Sequence, residues 1–134
     1  MSLFRRILRE QHAASTVDFA FALPVLITII LGTMQLGHYF HVSGSLQHAL
    51  GEGIRLAKVD PTATSADIRA EVEDEMAAID TSKITGFAFV RGTSSGIDYG
   101  AVAIRYRLEP MIPMVPLTEM TIQETKVAYL PAGG

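Results

Sequence analysis

No charged side chain occurs between Asp18 and Glu52, and this stretch, preceded by Arg5, Arg6 and Arg9, restricts what the chain can fold into more than any other feature. Its most apolar part, residues 19–36, comes close to the ~20 residues with which an α-helix crosses ~30 Å of hydrocarbon. Transmembrane helices tolerate glycine and proline better than soluble ones, so the pattern predicts one long helix over residues 19–58, bent near Pro24 and ended by Asp60 and Pro61. The positive-inside tendency keeps the arginine side in the cytoplasm, and residues after Gly51 are then expected to be exported. An ordinary secretory signal has a shorter apolar region of about 7 to 15 residues. Val42, Ser43 and Gly44 nevertheless form a small-residue site, which leaves a soluble domain released after Gly44 as an alternative.

Removing the membrane arm from the 134 residues leaves a domain of roughly 75 residues, near the lower end of what folds around its own core. Such a domain should lean on the helix or on a partner. The chain has no cysteine, so neither a disulfide framework nor a thiolate metal site is available. The net charge of -3 conceals an asymmetry, basic before the apolar run and acidic after it. Nucleic-acid binding would show a clustered basic surface, and none is present.

Beyond Leu36 the pattern becomes amphipathic, with Phe40, Leu46, Leu50, Ile54 and Ala57 expected to form a packing stripe. Thr64 or Ser65 is expected to cap a short second helix that buries Ile68, Val72, Met76 and Ile79. Asp67, Glu71, Glu73, Asp74 and Glu75 would lie on its solvated face, without the ligand spacing or turn glycine of a calcium loop. Residues 84–90 read as a strand and 91–96 as a hairpin connection. In the next strand Val102, Ile104, Tyr106 and Leu108 alternate with Ala101, Ala103, Arg105, Arg107 and Glu109, the period of a sheet with one buried face. Pro110, Pro113 and Pro116 interrupt pairing while Met111, Ile112, Met114 and Val115 keep the loop apolar, and this loop is expected either to cover the sheet or to contact another subunit. A last strand is expected over 121–130. The fold class is thus α+β: a long N-terminal transmembrane helix, then a small domain with one short helix and an antiparallel sheet.

His12-Ala-Ala-Ser-Thr-Val-Asp-Phe19, followed by Ala-Phe-Ala-Leu-Pro24, resembles the processing segment of TadE-like pseudopilins, minor subunits of tight-adherence (Flp, type IVc) pili. In that family a small residue precedes the cut, and an acidic residue and an aromatic follow it by five and six residues. Ala13, Asp18 and Phe19 match, with Ala13 in place of the usual Gly and Asp18 in place of the usual Glu. Gln35 stands where many relatives carry Glu. Leu46-Gln-His-Ala-Leu-Gly-Glu-Gly-Ile-Arg-Leu-Ala57 is similar to the family's segment ending in Glu-Gly-Ala-Arg.

The resemblance implies a pilin-like layout: a basic leader over 1–13, a long helix over 14–59 with its transmembrane part at 19–36, and an exported α+β domain over 60–134. It implies cleavage between Ala13 and Ala14 by a prepilin peptidase, and a structural role in initiating or assembling the pilus rather than an enzymatic one. The implied partners are the membrane, other pilins or pseudopilins and the inner-membrane assembly platform. No cofactor is implied. The new α-amine of Ala14 would have a reference pKa near ~7.7 to 8.0 and be largely protonated at neutral pH, a natural partner for Asp18. In related pilins the acidic residue is linked to subunit docking, which assigns Ala14, Asp18 and Phe19 to that role here. Aspartate also caps helices well, so a simple N-cap at Asp18 stays open.

The other constellations read as structural. His38, His41 and His48 share roughly one helix face and are expected to form a polar stripe rather than a metal site. Tyr39 and Phe40 suit an aromatic belt at the outer interface. Glu52 and Arg55 are expected to pair on the helix or to hold it to the domain. No nucleophile and base, and no glycine-rich phosphate loop, can be assembled from the sequence. The rival class is an uncleaved single-pass inner-membrane protein with a periplasmic partner-binding domain.

Overall fold

The computed structural model describes residues 2–110 and 119–131, with side chains from Thr16 onward. In chain order these are α1 (Ser2–Val59), α2 (Ser65–Glu75), β1 (Ile84–Ser94), β2 (Ile97–Leu108) and β3 (Met120–Tyr129). The architecture is the expected α+β one. The chain divides into two units, Met1–Gly37 and His38–Gly134.

The first unit is the apolar part of α1, which begins well before the expected residue 19. Residues 2–18 contain no glycine or proline and are rich in Leu, Arg, Glu, Gln and Ala, all good helix formers, so nothing stops the helix from extending back to Ser2. Helical assignment also runs unbroken through Pro24. Phe19, Phe21, Val25, Leu26, Ile29, Ile30 and Met34 are all exposed, around the whole circumference. A helix apolar on every side belongs in hydrocarbon, and this one is long and apolar enough to cross a membrane once. Thr28 and Thr33 do not interrupt that surface, because their hydroxyls donate to the carbonyls of Pro24 and Ile29 at 2.8 Å.

In the second unit the sheet order is β1-β2-β3, antiparallel throughout. Val102, Ile104, Tyr106 and Leu108 point inward and are buried, as their alternation requires. They meet Val42, Leu46, Ala49, Leu50, Ile54 and Ala57 from α1 and Ile68, Val72 and Met76 from α2 in one core. Phe40 is a correction: it is 67% exposed, and Val42 and the half-buried Tyr39 occupy the core side instead. Six residues separate Phe40 from Leu46, about 600° at 3.6 residues per turn, which turns Phe40 to another face; Val42, four residues away, stays in phase.

Thr64 is the cap of α2, with a full capping box. Its hydroxyl accepts from the Asp67 N–H at 3.3 Å, and the Asp67 carboxylate accepts from the Thr64 N–H at 2.8 Å. The hairpin is tighter than expected. β1 continues to Ser94 and β2 starts at Ile97, leaving Ser95 and Gly96, both with positive φ, as a two-residue turn whose twist matches that of the strands. Arg91, expected in the connection, is therefore a strand residue, exposed on the helix-bearing side of the sheet. The apolar loop residues Met111, Ile112, Met114 and Val115, together with Pro113 and Pro116, lie outside the described residues.

Candidate functional site: the processing segment and the α1–α2 joint

Ala13 and Ala14 lie on helical backbone, and their side chains are outside the described ones. Asp18 sits well inside α1 rather than at its start, so with residues 2–17 in place it is not an N-cap; the helix-forming residues before it carry the helix onward. Its carboxylate and the Phe19 ring are exposed at the head of the apolar surface. An exposed carboxylate there is costly in lipid, by ~2.5 to 3.5 kcal/mol at a helix centre and less near the interface. An outside partner would relieve that cost.

At the other end of α1, Glu52-Gly53-Ile54-Arg55 builds the joint with α2. Ile54 is buried in the core. The Arg55 Nε donates to Glu52 Oε2, and Arg55 Nη2 lies 3.9 Å from Glu71 Oε1 on α2, so the pair both braces α1 and reaches across to α2. His48 extends the same seam, 3.5 Å from Glu75. Gly53 lets the helices touch: a Cβ at that position would stand 2.6 Å from Val72 Cγ2 and 3.3 Å from Ile68 Cγ2. Overpacking of this kind costs ~1 to 3 kcal/mol, more than the ~1 kcal/mol that helix propensity gains by losing a glycine. Gly53→Leu should therefore lower the denaturant midpoint of the chain in detergent micelles. Gly44→Leu should not, since nothing lies within 4 Å of that site. Equal effects would show that the close approach is not what Gly53 provides.

Sequence reasoning missed two tethers in this domain. The Arg91 guanidinium donates to the carbonyls of Pro61 at 2.7 Å, Asp60 at 3.2 Å and Ala63 at 3.3 Å, holding the turn between the helices. Glu124 on β3 accepts from Ser43 Oγ at 2.6 Å and Gln47 Nε2 at 3.3 Å on α1. Each joins residues far apart in the chain, so local patterning carried no sign of it. The hollow beside Arg91, lined also by Ala57, Thr93, Asp98, Tyr99 and Leu130, has its cation committed to these carbonyls. Among the described residues no group of His, Asp and Glu is placed to hold a metal ion.

The surface carboxylates tune the domain's response to pH. The Thr62 hydroxyl and N–H hold Asp60 below the ordinary aspartate range, those of Thr64 do the same for Asp67, and those of Ser82 for Asp80. Arg55 lowers Glu52 by its hydrogen bond. A carboxylate depressed in the folded state contributes stability that is present above its unfolded pKa, near ~3.9 to 4.3, and is lost as pH falls through the lower folded value. The melting temperature should therefore be level near neutrality and decline below about pH 4. A melting temperature that rises on acidification from pH 5 to pH 3 would contradict these assignments.

These features define a class, an α+β domain on one long helix apolar enough to cross a membrane. Residues 13–55 match the model of a family described as TadE-like protein, so that segment, about a third of the chain, is similar to that family. No curated protein and no solved structure matches the chain. The matched segment starts at Ala13, includes Asp18 and the apolar run, and closes on Arg55 at the α1–α2 joint.

Proposed function

We propose that the chain is a minor pilin-like subunit that takes part in the biogenesis or initiation of a tight-adherence pilus. It is held in the bacterial inner membrane by α1, with the arginine-bearing end cytoplasmic and the α+β domain periplasmic. A prepilin peptidase cuts between Ala13 and Ala14, the freed amine of Ala14 is docked by Asp18 on the same or a neighbouring subunit, and Phe19 packs beside them. Other pilins or pseudopilins and the inner-membrane assembly platform are the partners. The role is structural, not enzymatic.

The single observation that carries this reading is the TadE-like match over 13–55, which begins at the small residue expected before the cut and spans both the acidic position and the membrane run. The continuous exposed apolar surface after Phe19 supports it, because such a surface suits lateral packing in a membrane and in a helical bundle alike. The test is mass spectrometry of the mature N-terminus after co-expression with the cognate prepilin peptidase. Ala14 is the expected first residue, and Ala13→Leu should leave the leader attached because the peptidase selects a small residue there. A mature chain that starts at Met1 establishes the uncleaved single-pass protein instead, and one that starts at Ser45 the released domain.

A further inference from the structure

An antiparallel sheet covered on one side normally turns polar residues to water on the other. This sheet does not. Its outer face carries, in successive rows across β1, β2 and β3, Gly92-Tyr99-Tyr129, Val90-Ala101-Val127 and Ala88-Ala103-Thr125, with no charge until Arg105 in the next row. Val90, Val127 and Tyr129 are 54%, 60% and 73% exposed. A contiguous apolar surface of this kind marks a contact. The strand edges are less suited to one: β3 turns Glu124 and Lys126 inward and β1 is broken by a register shift at Gly86, both devices that discourage strand addition.

The complement lies on the opposite side of the same domain. α2 buries Ile68 and Val72, with Met76 just past its end buried beside them, and its outward stripe is Ala66, Ala70 and Asp74, a smooth surface broken by one carboxylate. Asp74 has no ion-pair partner among the described residues, and neither does Arg105, whereas Glu71, Glu73 and Glu75 are matched by Arg55, Arg69 and His48. The spacings agree as well. Ala70 to Asp74 is ~6 Å along a helix and Ala103 to Arg105 is ~6.8 Å along a strand, so a helix laid along β2 with Ala70 over Ala103 brings Asp74 to Arg105 and Ala66 to Ala101.

We propose that the outer sheet face receives α2 of a second copy of this chain, with Arg105 paired to the Asp74 of that copy. Because the two surfaces lie on opposite sides of one domain, they cannot meet within a chain, and the contact is head-to-tail and propagates rather than closing into a symmetric pair. It deepens the pilus-subunit reading and rests on it in taking the copies to be gathered in one assembly.

The chain's lack of cysteine makes the test direct. Full-length Ala103→Cys and Ala70→Cys chains with different tags are co-expressed and oxidised in membrane vesicles. The expected product is the mixed dimer, and a chain carrying both substitutions should give a ladder of multimers. Arg105→Glu should reduce the mixed product roughly tenfold by placing like charges together, and Asp74→Arg on the partner should restore it, which a misfolded sheet would not allow. Dimers of Ala103→Cys with itself, products in random proportion, no product, or no restoration would each overturn the contact. The N-terminus of the mature chain reports on the pilus reading separately, so a chain that starts at Ala14 but gives no mixed dimer loses this contact alone.

Discussion

Ile104→Ala is expected to lower the stability of the α+β domain by ~2 to 5 kcal/mol, while Arg105→Ala, one residue along the same strand, changes it by less than ~0.5 kcal/mol. Ile104 is 1% exposed in the middle of the central strand, where it meets residues of both helices, and Arg105 points to the outer face. Removing the aliphatic side chain loses its transfer free energy and leaves a cavity that the flanking strands cannot close. For a domain of this size each kcal/mol moves the midpoint by ~4 to 8 °C, so the two variants should separate by about 6 °C or more. Thermal unfolding of the full chain in micelles, followed through its tyrosines, makes the comparison. Similar midpoints would contradict the assignment of faces.

Asp18→Asn is expected to leave membrane insertion and cleavage intact and to lower piliation by roughly three- to tenfold, about half of the ~1.5 to 3 kcal/mol of a hydrogen bond to a charged group being lost with the charge. The substitution keeps shape and hydrogen-bonding capacity and removes only the charge. Even where the cut leaves Asp18 near the start of the helix, Asn serves a helix N-terminus about as well as Asp, so helix formation does not depend on the ionised form. If the charge docks the protonated amine of Ala14, its loss removes the ionic part of a bond roughly twice as strong as its neutral counterpart. Counting pili in a strain whose only copy is Asp18→Asn decides the matter. Full piliation would exclude the docking role.

The physical features legible in the sequence were those with a period or a local chemistry. The inward row of β2 follows from strict alternation, and the α2 cap follows from Thr64 standing three residues before Asp67. The apolar run of α1 needs no neighbours to be recognised, because length and the absence of charge are properties of the chain itself. Misreadings arose where a residue fitted two patterns. Phe40 is apolar enough for the core stripe but out of phase with it, and Arg91 sits beside glycine and serine yet belongs to the strand.

By itself, then, the sequence determined the membrane-length helix, the α+β order of elements, the faces of α2 and β2, and the likeness at 13–55 to a TadE-like protein. Tertiary structure alone decided why Gly53 must be small, where Arg91 and Glu124 find their partners, and that, among the described residues, Val90, Val127 and Tyr129 stand exposed on the outer sheet face. The reason is one of range. Periodicity and capping act over a few residues and leave a mark on the local pattern, whereas a contact between Gly53 and Val72, or between Ser43 and Glu124, exists only once the chain has folded and brought distant positions within a few ångströms.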